Sequence, residues 1–191
     1  MNPPEYATLS RDVRGVRIPE GMPSILNAGQ RVRITQSLGG SYTVVTDRGE
    51  MIRLEDRDAD AIGREVLGLS AAAETGSLEE RVWAQLKTCF DPEIPVNVVD
   101  LGLIYSCDLT PVPSAGGLPE TTPEAPAPTD VRVLMTLTAP GCGMGPVLAD
   151  DVKKKIEALP GVGSVDVEVV WDPPWNPGMM TEAARLQLGM F

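Results

Sequence analysis

Apolar and polar positions change period several times along this chain, and those changes outline its parts. Arg31-Val-Arg-Ile-Thr-Gln36 alternates polar and apolar, Gly39-Gly40 turns the chain, Tyr42–Thr46 is β-rich, Asp47-Arg48-Gly49 turns again, and Met51–Leu54 continues the pattern. That pattern predicts a small three-stranded antiparallel meander. Asp58 to Leu67 predicts a short helix whose acidic first turn suits the helix dipole. Residues 1–22, interrupted by Pro3, Pro4, Pro19 and Gly21, carry no period and are expected to be irregular. An N-terminal unit therefore spans residues 1–70. With so few aromatic side chains it is marginal on its own and is expected to pack on the second half or on a partner.

Ser70–Gly76 is small and polar, as a linker would be, and a second unit covers residues 77–190. Ser77-Leu-Glu-Glu80 has the form of a capping box, and Val82, Trp83, Leu86 and Cys89 or Phe90 recur at helical spacing up to Asp91-Pro92. Cys89 falls on the buried stripe of that helix. Leu103–Thr110 and Asp130–Thr138 read as strands that pair antiparallel, with residues 111–128, six of them proline, as a flexible insertion at the hairpin tip. Pro146 suits the first turn of a helix carrying Val147, Leu148, Val152, Ile156 and Leu159 on one side. Ser164–Val169 alternates as a strand, Trp171–Pro177 is a rigid aromatic loop, and Thr181 caps a last helix, Glu182–Leu188. The aromatic loop reads as a lid, a docking surface or a plug for the core. The fold class is α+β or α/β: a small mixed β-sheet flanked by helices, preceded by the antiparallel meander.

Chemistry concentrates in Thr138-Ala-Pro-Gly-Cys142-Gly-Met-Gly145. A glycine-rich turn between a strand and a helix places a sulfur beside unpaired backbone N–H groups and the positive end of the helix, which favours thiolate. On the local pattern Cys142 is equally a small apolar residue in a tight turn. The loop from Asp91 to Gly102 carries Asp91, Glu93 and Asp100; these read as turn and cap formers or as ligand groups near Cys142.

Composition narrows the chemistry further. The chain has three cysteines and no histidine, so the usual base for a Ser or Cys nucleophile and the imidazole ligands of catalytic zinc are missing. No Cys-x-x-Cys pair is present, so neither a redox dithiol nor a zinc ribbon is legible. The net charge is −11, concentrated after residue 70, which disfavours nucleic acid as a partner. Lys153-Lys154-Lys155 reads as a solvated helix face. The first 21 residues, interrupted by Arg11, Arg14 and Arg17, lack the apolar core of a signal peptide, and no run approaches the roughly 20 apolar residues of a membrane-spanning helix. A cytoplasmic location without membrane attachment is expected.

Three motifs taken together, Asp91-Pro-Glu-Ile-Pro-Val-Asn-Val-Val-Asp-Leu-Gly-Leu-Ile-Tyr105, Met135–Gly145 and Val170-Trp-Asp-Pro-Pro-Trp175, resemble the small iron–sulfur-maturation domain of bacterial, eukaryotic cytosolic and oxygenase-associated proteins. Ile34–Thr43 is similar to the SufT branch of that family rather than to the minimal domain. The resemblance implies a non-enzymatic accessory or carrier in iron–sulfur cluster assembly, working with the assembly machinery and client apoproteins. It maps the family's functional cysteine onto Cys142, its acidic loop onto Asp91 and Glu93, and Thr138 beside the thiol. One thiolate is too few for a cluster that takes four. The implied cluster or iron is therefore transient, shared between two chains of a homodimer, completed by carboxylates or a small thiol, or handed between partners. The alternatives from other classes are a thiol enzyme performing persulfide or redox chemistry at Cys142, and a structural subunit of an oxygenase complex.

Overall fold

A computed structural model describes residues 5–66, 76–112, 128–141 and 143–190. Two β-sheets organise it, each with its own buried cluster. The first is a six-stranded antiparallel sheet of β1 (Glu5–Thr8), β2 (Val13–Ile18), β3 (Met22–Leu26), β4 (Arg31–Leu38), β5 (Ser41–Thr46) and β6 (Met51–Glu55), in the order β1-β4-β5-β6-β2-β3. The predicted meander is its β4-β5-β6 half. The expectation that residues 1–22 are irregular is overturned for 5–22. Leu9, Val13 and Leu26 drive these residues into the sheet by joining Val32, Val44, Ile52 and Leu54 in one core. Pro19 and Gly21 mark the β2–β3 turn, and Pro23 is tolerated because β3 is an edge strand. The predicted short helix is a 3-10 helix, Asp56–Ile62, that stops at Gly63.

The second sheet has three strands, β7 (Ile104–Pro111), β8 (Thr129–Met135) and β9 (Val162–Val169), in that order. β7 and β8 pair antiparallel and β8 and β9 pair parallel, so the sheet is mixed, as expected. The crossover between β8 and β9 is α2 (Gly145–Glu157), which begins with proline in its first turn. Helix α1 (Leu78–Leu86) opens on the predicted capping box: Ser77 Oγ accepts from the Glu80 N–H at 3.2 Å and Glu80 accepts from the Ser77 N–H at 2.8 Å. Helix α3 (Glu182–Gln187) is capped by Thr181, whose hydroxyl accepts from the Ala184 N–H. Leu86, Cys89, Leu101, Leu103, Val133, Met135, Leu148 and Ile156 form the centre of this larger core. The linker expected at Ser70–Gly76 lies outside the described residues except for Gly76, and most of the insertion at 111–128 lies outside them too.

The two sheets meet through polar contacts. Lys155 Nζ, on α2, donates to the carbonyl oxygens of Gly39 in the β4–β5 turn and Thr88 after α1, each at 2.8 Å. Arg53 Nη2 on β6 pairs with Asp151 Oδ2 at 2.8 Å, and Gln36 donates to the Asp91 carbonyl at 3.3 Å. Lys155 thus falls outside the solvated reading given to Lys153–Lys155: its Nζ is the bolt between two turns, and the residue is only 9% exposed.

Candidate functional site

The segment that joins β8 to α2 begins with Thr136 and Leu137, which leave the strand and stay buried at 1% and 7% exposure. Thr136 holds its place through its N–H, donated to the Leu103 carbonyl at 2.8 Å. Thr138 is half-buried, Ala139, Pro140 and Gly141 are exposed, and Met144 is buried again at the head of α2. The turn is therefore pinned at both ends and presented at the surface in the middle. Cys142 itself lies outside the described residues.

Gly143 supplies the main structural finding at this loop. Its backbone packs directly on the β2–β3 turn: a Cβ built there would lie 2.9 Å from the Pro19 carbonyl oxygen and closer still to the Glu20 carbonyl. Reciprocally, a Cβ on Gly21 would strike the Gly143 carbonyl, and Gly21 has the left-handed φ of 71°. The six-stranded sheet thereby reaches the residue next to Cys142. Nothing in the local sequence announced this contact, because two glycines in backbone contact leave no side-chain pattern.

Asp91 is buried, and its carboxylate oxygen Oδ1 accepts from the N–H groups of Glu93 and Ile94, both at 2.9 Å. Burial raises its pKa, and those two N–H groups oppose the rise. This is the turn-forming role weighed in the sequence. Glu93 is exposed. Asn97 and Asp100 close the rest of the loop, Asn97 Nδ2 donating to Asp100 Oδ2 at 2.6 Å while Asn97 Oδ1 accepts from the N–H groups of Val99 and Asp100. Among the described residues no hydrogen bond or ion pair joins Thr138 to Asp91 or Glu93, and no group of three or more Cys, Asp or Glu side chains is arranged to hold a metal ion.

The aromatic loop anchors the acidic one. Trp175 Nε1 donates to the Leu101 carbonyl at 2.8 Å, and Tyr105 Oη donates to the Pro173 carbonyl at 2.6 Å. Behind it the Thr181 N–H donates to the Asp100 carbonyl. Trp175 is thus part of the packing, while Trp171 is 46% exposed.

The other two thiols are poorly suited to ligation. Cys89 is fully buried, and burial, reinforced by the charge of Asp151, pushes its thiol up to about 12. Cys107, in β7, is half-buried and pushed up to about 11 by burial and then by Asp108 and Glu79. Both stay protonated at neutral pH, and the thiolate is the form that binds metal. The described side chains therefore do not fit a resident four-thiolate cluster. A residue that the sequence reading passed over is Thr136, whose buried hydroxyl has no partner among the described residues. Its only sequence signal is a polar residue between Met135 and Leu137 at the end of an apolar strand.

Residues 79–169 match the model of the iron–sulfur cluster assembly protein family. A relative from Porphyromonas gingivalis, an Fe-S protein maturation auxiliary factor, is 42% identical over 58% of this chain and 90% of its own length. The Bacillus subtilis Fe-S protein maturation auxiliary factor YitW is 35% identical over 60% of this chain and 96% of its own. The corresponding factor SufT of Staphylococcus aureus is 34% identical over 52% of this chain and 96% of its own. The alignments, 100 to 114 residues long, use up nearly all of each relative. The SufT likeness expected from the sequence holds at the level of the family, with a SufT among these relatives. Among the described residues no helix is long and apolar enough to cross a membrane.

Proposed function

Because this chain belongs to the iron–sulfur cluster assembly protein family, we propose that it is an auxiliary factor in the maturation of iron–sulfur proteins, with the cluster or iron as its cargo. The observation that carries the reading is the family match over residues 79–169, which takes in the whole Thr138–Gly145 loop. Cys142 is the transfer ligand in this proposal. Thr138 stands at the entry of the same loop, and Asp91 and Glu93 belong to the acidic loop that the aromatic segment holds in place.

The division of labour follows from thiol chemistry. A cargo ligand must give up its metal as readily as it takes it, and a single thiolate meets that need better than a closed four-cysteine cage. The raised pKa values of buried Cys89 and half-buried Cys107 leave Cys142 as the thiol for this work. The partners are then the assembly machinery that loads the cluster and the apoproteins that receive it, in the cytoplasm, with the remaining cluster ligands coming from a partner or a second chain. The acting unit in this proposal is residues 77–190, with residues 1–70 as an added unit that touches its loop.

The test is complementation. Cells that lack this protein are expected to lose activity of iron–sulfur enzymes while the apoproteins remain abundant. Wild-type protein restores that activity and Cys142→Ala does not. Full restoration by Cys142→Ala would remove the transfer-ligand role and leave an adaptor without a thiol function.

A further inference from the structure

We propose that the cleft between the two sheets is a binding site for a small organic anion, with one carboxylate or phosphate head and an apolar body. The cleft has a volume of about 960 Å³, at the upper end of the roughly 300–1,000 Å³ of small-molecule sites, which favour the junction of two structural units.

One wall is the outer face of the six-stranded sheet. Val16 pairs in register with Arg53 on β6 and with Pro23 on β3, and Arg14 stands two residues along on the same face. The opposite wall is α2, where Val147, Asp150, Asp151 and Lys154 follow one another at helical spacing along the cleft. Val16, Pro23 and Val147 provide the apolar surface.

The charges of the cleft are mostly spent on one another. Lys154 pairs with Asp150 at 2.6 Å, Arg57 with Glu55 at 3.0 Å, and Asp151 is shared between Arg53 and Lys155. Five cationic side chains, Arg14, Arg53, Arg57, Lys154 and Lys155, line the cleft against four carboxylates, Glu55, Asp56, Asp150 and Asp151, so one positive charge is in excess, and two groups keep unused donors. Arg14 is exposed to the cleft and has no hydrogen bond or ion pair among the described residues. Arg53 is only 5% exposed, and its Nη1 has no acceptor there. A buried guanidinium nitrogen without an acceptor is costly, and an oxyanion is its natural partner. The surplus is thus one anion's worth of positive charge beside apolar walls, which selects an organic anion over a bare cation or a neutral solute. This inference does not rest on the role of Cys142.

The experiment uses the full chain with three probes: phenyl phosphate, phenylacetate and inorganic phosphate. Binding is followed by calorimetry and by protein NMR. At least one aromatic anion is expected to bind with a submillimolar Kd, and inorganic phosphate about tenfold more weakly or not at all. Which aromatic probe binds better identifies the head group. Arg14→Gln is expected to weaken binding about tenfold, the loss of one charge-assisted hydrogen bond. Val147→Trp, which fills the cleft from a partly exposed position, is expected to abolish it. The proposal is overturned if neither aromatic probe binds at millimolar concentration, or if affinity is unchanged in either variant. It is equally overturned if inorganic phosphate binds as well as the aromatic anions, the result for an adventitious ion only.

Discussion

Gly21 and Gly143 meet backbone to backbone, so that the β2–β3 turn of one sheet rests on the residue that follows Cys142. Neither position has room for a methyl group, since the obstructing atoms are main chain on both sides and cannot rotate away. Gly143→Ala is therefore expected to destabilise the protein by about 2 kcal/mol, as overpacking of a rigid contact does. Hydrogen exchange is the sensitive readout: amides of residues 16–23 and 143–147 exchange faster in the variant while those of β7–β9 do not. Unchanged exchange at the β2–β3 turn would mean that the turn is held by other contacts.

Lys155 makes the strongest prediction about the junction between the sheets. Lys155→Met keeps the length of the stem but leaves the carbonyls of Gly39 and Thr88 without their shared donor, and Asp151 with Arg53 alone. The expected cost is roughly 2–3 kcal/mol, that of a charge-assisted pair of bonds lost from a buried site. Chemical denaturation of wild type and variant measures it directly, and Lys153→Met, at an exposed position on the same helix, is expected to cost less than about 0.5 kcal/mol.

The parts of the fold that were legible were those with a local signature. The Ser77 capping box, the Thr181 cap, the proline that opens α2, the alternation of β4 and β9 and the β-rich run of β5 each place their own backbone without help from distant residues. β1, β2 and β3 were missed because their turn residues, Pro19 and Gly21, dominate a short window. The reason they form strands lies elsewhere, in β4 and β6 and in the shared core of Val32 and Ile52. The roles within the candidate site divide the same way. Asp91 as a turn former could be read from its neighbours, whereas the seating of the β2–β3 turn on Gly143 and the Thr136 hydroxyl, without a partner among the described residues, depend on residues far apart in sequence.

The thiols are expected to separate sharply by reactivity. The thiolate is the nucleophile, so a raised pKa lowers the reactive fraction: at pH 7 a thiol pushed up to about 11, as for Cys107, is ionised to only about one part in ten thousand, against a few per cent for a free cysteine. Cys89 is lower still and sealed in the core. Alkylation by iodoacetamide is thus expected to show one fast thiol per chain, lost in Cys142→Ala, with Cys107 roughly a hundredfold slower and rising tenfold per pH unit up to its own pKa. A fast phase that survives in Cys142→Ala would show that another thiol is the activated one.

The central claim is that Cys142 ligates the cargo. Anaerobic reconstitution of the full chain with iron and sulfide, followed by visible absorption and by iron and sulfide analysis after desalting, tests it with wild type and Cys142→Ala side by side. The account predicts a cluster in the wild type, at no more than one per two chains if a second copy completes the ligand set, and its loss in Cys142→Ala. Equal iron and sulfide in the two proteins would contradict it.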